Sequence, residues 1–396
     1  MRPKMTKTSS FGNLSTRSGK PTPFPGYTIR GFRRRAAVLL AVFGVSCWFN
    51  IDGAEHATMA PPKLKPSSPI YSVSDPSMID GFSPRADRIK TNFDLLLATA
   101  GGSSDPAVAW KKWIKPGQRI GIKISSMPGK IMGTRLPLVD AIVTSLLKAG
   151  HDPADILIFD RYAIEMQDAG WAIGLRPDRV RVTAIWPQEG YDPHVFYHCP
   201  FLGQLIWGDL EFKGQQWDSS NDGDKGQIST QSYFSKIVTQ KVDVLINVPV
   251  LTTRDGIGVY GAIANLPLGV IDNQRRFFKP FFGHEENIAD LATHKALRGK
   301  WVLTIMDGLL GQYAGGPHFD PKYVWPQSTL WLSEDPVGLD TLALKLINER
   351  RPPENIKVID PDDTAYLKSC TNLGFGSTDL SHDRVRELAL PVFGEE

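Results

Sequence analysis

The 396-residue sequence predicts an α/β protein built on a doubly wound, mostly parallel sheet. Three observations carry that prediction. Short apolar runs alternate with segments of helical spacing, the order of strand–helix–strand units. Several runs are dominated by apolar residues, such as ILIFD at 156–160 and VDVLINVPV at 242–250, which marks strands buried on both faces. The third is the stretch 242–273. It passes from its apolar run through Thr252-Thr253-Arg254-Asp255-Gly256 into small residues, the strand-to-helix turn where such sheets place ligands.

The elements follow in order. Residues 58–85 are rich in Pro and Ser and read as a linker or extended arm. Residues 86–98 have Ile89, Phe93, Leu96 and Leu97 at helical spacing, and 107–113 suggests a second short helix. GQRIGIKIS at 117–125 is the first strong strand. The helix at 136–148 presents Leu138, Ile142, Val143, Leu146 and Leu147, and Gly150 stands where a left-handed cap ends it. ILIFD is the second strand. RVRVTAIW at 179–186 alternates, which places it near an edge. Residues 187–228 carry Pro, Trp and a polar run and read as a loop or hairpin insertion. Helix is expected at 229–241, 284–297 and near 382–390, and strand and turn at 301–311. Strand, turn and helix are expected at 328–350. The expected domain therefore spans 117–350, with 351–396 as a C-terminal extension.

In such a sheet the ligand lies outside the carboxyl ends of the strands, so the polar residues following each apolar run are the candidates. They are Ser125, Ser126, Thr134 and Arg135 after the first strand, and Asp160 and Arg161 after the second. Asn247, Thr252, Thr253, Arg254 and Asn265 belong to the 242–273 stretch, Asp307 follows WVLTIM, and Ser333 and Asp335 follow TLWL. Each alone reads equally well as the cap of the next helix. Lys123, inside IGIKIS, requires an acidic partner such as Asp160 or Asp307, or an exit to solvent. His284 precedes Glu285 and Glu286, where it serves as a metal ligand, a general base or a helix cap. HEEN is not HExxH, so a zinc-protease reading fails. His294 and His318 have weaker context. The Gly315-Gly316-Pro317 loop is an anion cradle or a plain turn. GxGxxG, Walker and GxSxG patterns are absent.

These residues lead to an expected small anionic ligand. Arg135, Arg161 and Arg254 would hold its charge, with Lys123, Thr134, Asn247, Thr253, Asn265 and Ser333 alongside. A divalent metal would sit on Asp160, Asp335 and His284, and His284, Asp160 and Asp307 would carry any chemistry. The alternative is a non-catalytic binding or assembly module.

The amino terminus reads as an export leader over 1–57. Residues 1–35 hold nine Lys or Arg and no acid, and the apolar segment 36–49 follows. That segment is short of the roughly 20 residues a membrane span needs. Arg33-Arg34-Arg35 against it suggests twin-arginine export to the periplasm, although Ala37 and Val38 replace the usual bulkier residue. An uncleaved anchor is the alternative, and membrane contact is expected only through this leader. The whole chain carries +3, and subtracting the nine leader charges leaves −6 for 36–396. That balance argues against nucleic-acid binding. Three Cys and no CxxC leave no ligand set for an iron–sulfur cluster, while a Cys199–Cys370 disulfide is compatible with export.

Seven segments in order carry a family resemblance: IGIKIS, TRLPLVDAIVTSLLKAG, ILIFDR, VDVLINVPVLTTRDGIGVYGAIANLPLGVI, GHEENIADL, IMDGLLGQYAGGP and SEDPVGLDTLA. Together they resemble domain of unknown function family 362 over roughly 117–350. The resemblance implies a domain without an assigned reaction. Members often carry a ferredoxin-like cluster domain, for which this chain lacks the Cys pattern. The family pattern also places basic residues and a His in the 242–273 stretch. Thr252, Arg254 and Ala264 stand near those places here. Arg254 supplies a charge but no proton transfer, because it stays protonated.

Overall fold

The computed structural model describes residues 68–204, 228–274, 277–278 and 284–390. The leader read over 1–57 and residues 205–227 of the insertion lie outside that set. In chain order the elements that matter begin with β1 (Ile70–Ser74), α1 (Ala86–Gly101), β2 (Ile120–Ile124), α2 (Leu136–Lys148), β3 (Ile156–Tyr162) and α3 (Ala163–Asp168). Then come β4 (Gly174–Leu175), β5 (Arg181–Trp186), β6 (Tyr191–Gln204), β7 (Ile228–Ser235), β8 (Val244–Val248) and β9 (Val250–Leu251). The remainder is α4 (Ala262–Asn265), α5 (His284–Ala292), β10 (Trp301–Gln312), β11 (Val324–Ser333), α6 (Pro336–Arg350), α7 (Ala365–Asn372) and β12 (Val385–Glu387).

The main sheet runs β12-β1-β11-β10-β8-β2-β3-β5-β4, with β9 also paired to β10. The block β10-β8-β2-β3-β5 is parallel throughout. Ile120, Ile122 and Ile124 of β2 face the same core as Val244, Ile246 and Val248 of β8, under the apolar sides of α1 and α2. The opposite face carries Phe159 and Leu245 against Ile288 and Leu291 of α5 and Tyr366 and Leu367 of α7. Helices thus cover both faces, and β2 and β8 are buried along their whole length, as mostly apolar strands interrupted only by Lys123 and Asn247. Helix α2 starts with Pro in its first turn, and Gly150 follows its end at φ +89, the expected left-handed conformation. β5 lies next to the two-residue edge strand β4, close to the expected edge position.

Several segments depart from the sequence reading. The 58–85 arm contains β1, which pairs antiparallel with β11 because IYSVS buries Ile70 and Val73. The expected helix at 229–241 is instead β7, the second strand of a hairpin with β6. Its Ser and Thr suggested a helix cap, but alternation and cross-strand packing of Tyr233 on Phe196 prevail. A π-helical turn, Ile237–Lys241, completes the segment. The expected final helix is β12, added parallel to β1. Cys370 is a free, buried thiol, so the Cys199–Cys370 bridge is not formed.

Candidate functional site

The chain leaves β2 for β3 on one side and returns through β8 on the other. The loops after β2 and β8 therefore part at the carboxyl edge, the crevice where doubly wound sheets hold ligands. Lys123 and Asn247 are cross-strand partners at this point.

A fully bonded polar floor lies there. The Lys123 amine, 1% exposed, donates to Asp160 Oδ1 at 2.5 Å, to the Ile124 carbonyl at 2.8 Å and to Asn265 Oδ1 at 3.2 Å. Burial pulls its pKa down and the Asp160 charge opposes that. Three acceptors match the three protons of an ammonium. Asp160 also accepts from the Ser126 N–H and hydroxyl, both at 2.6 Å, and from the Arg161 N–H at 2.7 Å. Asn265 Nδ2 donates to Asn247 Oδ1 at 2.7 Å, and Asn247 Nδ2 to the Ala262 carbonyl at 2.9 Å. The Ala262 and Ile263 N–H groups then donate to Asp340, whose carboxyl is pushed by burial up to about 7. Gly269 closes over the floor. A Cβ there would stand 2.8 Å from Lys123 Cε and 2.9 Å from its Nζ, so a larger residue would push the amine from its place.

A second buried pair joins Arg135 and Asp307. The guanidinium donates to Oδ1 at 2.6 Å and the Arg135 N–H to Oδ2 at 3.0 Å. The Thr134 hydroxyl donates to the Val248 carbonyl at 2.6 Å and accepts from the Ser125 N–H, tying the ends of β2 and β8 together. Arg161 is buried and donates to the Asp272 carbonyl at 2.6 Å. Thr253 Oγ1 accepts from the Gly316 N–H at 3.3 Å. The Gly315-Gly316-Pro317 loop therefore buttresses the Thr252–Arg254 turn.

Above the floor two groups remain uncommitted among the described residues. Arg254 opens a hairpin in which Thr253–Arg254 pairs with Gly258–Val259. Its guanidinium lies 4.3 Å from the Phe278 ring and 5.3 Å from the Tyr260 ring, and it approaches Met127 Sδ at 3.5 Å. It forms no ion pair with any described carboxylate. The Glu165 carboxylate, in the first turn of α3, has neither a hydrogen bond nor an ion pair among the described residues, while its backbone carbonyl accepts from the Ala169 N–H within the helix. Burial, reinforced by the Asp160 charge, pushes its carboxyl up to about 7, while Arg161, Lys123 and Arg254 pull the other way. Burial also raises the Tyr260 hydroxyl, which senses Arg254, Asp160, Glu165 and Arg161. Arg254 and Glu165 are both half-buried.

A family model described as domain of unknown function (DUF362) matches residues 120–345. The chain belongs to this family. No curated protein matches it. Among solved structures it is similar to a crystal structure of a Thermotoga maritima protein, a structural-genomics target, at 10% identity and a TM-score of 0.33. That alignment covers 74% of this chain and 60% of the other, so this chain spans about three fifths of that protein.

Within the DUF362 chain the predicted candidates divide into separate places. Lys123, Asp160, Asn247, Asn265 and Arg161 gather around the carboxyl edge of β2, β3 and β8, with Arg254 above them. Arg135, Thr134 and Asp307 form the neighbouring pair. Ser333 and Asp335 lie elsewhere. β11 runs antiparallel to β10, and Ser333 pairs with Thr304 near the start of β10, so the carboxyl end of β11 falls at the opposite edge. There Asp335 caps α6 through the Gly338 N–H, binds the Ser377 N–H and pairs with Arg384. The Ser333 hydroxyl donates to the Pro69 carbonyl. Asp160 and Asp335 consequently do not share a site. Among the described residues no three His, Cys, Asp or Glu gather in a metal-holding arrangement. His284 begins α5, and its side chain is outside the described set. His294 is structural. It stacks on Phe234 at 4.6 Å, its Nδ1 accepts from the Ala296 N–H, and burial lowers it to about 4.

Glu165, Tyr260, Phe278 and Met127 are not among the residues that the sequence singles out. Glu165 carries a weak signal, because an acid in the first turn of a helix ordinarily complements the helix dipole. Tyr260 and Phe278 stand on either side of α4 and the turn that follows it, and no periodicity joins them.

Proposed function

We propose that this DUF362 domain binds a small anionic molecule at the carboxyl edge of β2, β3 and β8, with Arg254 as its anchor. The observation that carries this reading is the state of the Arg254 guanidinium. It is half-buried, walled by Phe278, Tyr260 and Met127, and free of any described carboxylate. A partly desolvated cation in that condition attracts a carboxylate or phosphate strongly. The aromatic walls add apolar surface for the body of the ligand. Lys123 and Asp160 act as the floor that fixes the edge, since each is already paired.

A second reading, a binding or assembly module without catalysis, is favoured by one observation. Asp160 and Asp307, two of the expected catalytic carboxylates, are each engaged by a buried cation. The proposal includes no metal, because Asp160 and Asp335 lie at opposite edges of the sheet.

Calorimetric titration with inorganic phosphate, succinate and 3-phenylpropanoate tests the anion reading. At least one should bind, and Arg254→Gln should weaken it ten-fold or more without altering the thermal midpoint of the free protein. Binding that survives Arg254→Gln undiminished would refute the assignment.

We also propose that residues 1–57 direct export to the periplasm. The nine basic residues, Arg33-Arg34-Arg35 and the apolar 36–49 segment support this reading. Replacing Arg34 and Arg35 together by Lys should retain the chain in the cytoplasmic fraction. Unchanged periplasmic delivery would exclude the twin-arginine route.

A further inference from the structure

We propose that the molecule held by Arg254 is a zwitterion, whose ammonium group is received by Glu165. This rests on the reading of Arg254 as the anion anchor and adds the second half of the ligand. Lys123 is paired with Asp160, and Arg161 is turned to the Asp272 carbonyl. Among the described residues around Glu165, Arg254 and Glu165 itself remain, one basic and one acidic.

They come from different elements, the 253–259 hairpin and α3, and they sense each other electrostatically. Yet no ion pair joins them. Arg254 is kept on Phe278, Tyr260 and Met127 instead of closing onto the carboxylate. A cation and a titratable carboxyl, not paired with each other at this edge, match a small molecule with an anionic end and a cationic end. A simple dianion would satisfy Arg254 but place its second charge against Glu165.

The surroundings of Glu165 give this proposal a proton signature. From β3 it faces Asp160 and Arg161, from β2 Lys123, and from the hairpin Arg254. α3 also packs on β5, whose Arg181 pairs with Glu189, and on the 129–132 turn, which carries Lys130. Its carboxyl titrates up to about 7, so near neutral pH much of it holds a proton. An incoming ammonium favours the carboxylate and expels that proton. Binding is then coupled to proton release.

The test uses matched pairs that differ only in the ammonium: L-phenylalanine against 3-phenylpropanoate, L-alanine against propanoate, and phosphoethanolamine against ethyl phosphate. Titration calorimetry of the full chain at pH 7 in HEPES and in Tris reads both affinity and proton release. The zwitterion of at least one pair should bind ten-fold or more tighter than its partner and release a substantial fraction of one proton. Glu165→Gln should abolish the preference and the release while retaining binding of the simple anion. Arg254→Gln should weaken both members. Equal affinity within every pair, or a preference that persists in Glu165→Gln, would overturn the zwitterion assignment and leave the anion site standing. Failure of all six molecules to bind would overturn both.

Discussion

The floor and the rim of the carboxyl edge use the same residue types in opposite ways. On the floor, Lys123, Asp160, Asn265, Asn247 and Asp340 form one chain of hydrogen bonds, and Arg135 and Asp307 form a closed pair beside it. On the rim, Arg254 and Glu165 are half-buried and joined to no described partner of opposite charge. A buried charge held by a buried counter-charge fixes geometry, and its removal leaves a partner stranded. A charge left open at moderate burial contributes little to the fold and is available to a ligand. The difference separates the charged residues of this edge that serve structure from those on which the proposed site rests.

The largest effect that would sharpen this contrast is on the floor. Asp307→Ala leaves the Arg135 guanidinium, 4% exposed as a residue, without its carboxylate. The expected loss is about 3–5 kcal/mol in urea unfolding, the range for breaking a buried pair from one side. Asp307→Asn should recover part of it, since the amide oxygen still accepts from the Arg135 N–H. A loss no greater than that of Arg254→Gln would collapse the distinction between floor and rim.

Much of the floor was legible in the sequence and most of the rim was not. Lys123 inside an apolar strand demands an acid, and Asp160 at the next strand end supplies it, so chemistry and topology agree. The parallel block was equally legible, because strands buried on both faces must be apolar throughout. Asp335 misled for a topological reason. An apolar run followed by Ser-Glu-Asp looks the same whether its strand runs parallel or antiparallel, yet the direction decides which edge receives the carboxylate. IYSVS was hidden by the Pro and Ser around it, and its place beside β11 depends on contacts 255 residues away, such as Ser74 with Thr329. The rim depends on the same kind of distant meeting. Glu165, Met127, Arg254 and Phe278 lie in four segments, and only the folded chain brings them together.

A smaller effect, of opposite sign, comes from the rim. The Glu165 carboxyl has an ordinary value of 4.5 and is raised to about 7 in the folded chain, chiefly by burial. Between those pH values the folded chain retains a proton that the unfolded chain has released. Stability contributed by this group therefore falls as pH rises through that window and stays at its lower level above it. Gln carries no such proton. The stability difference between Glu165→Gln and the parent should be nearly constant below pH 4.5 and should move in favour of the variant by about 1–3 kcal/mol by pH 8, allowing for solvent screening. Asp340, also raised to about 7, contributes its slope equally to both proteins and drops out of the difference. Urea unfolding of the two proteins at pH 4.5 and pH 8 measures the change. A flat difference would mean that Glu165 is solvated or paired like the floor residues, and the rim would then hold only Arg254.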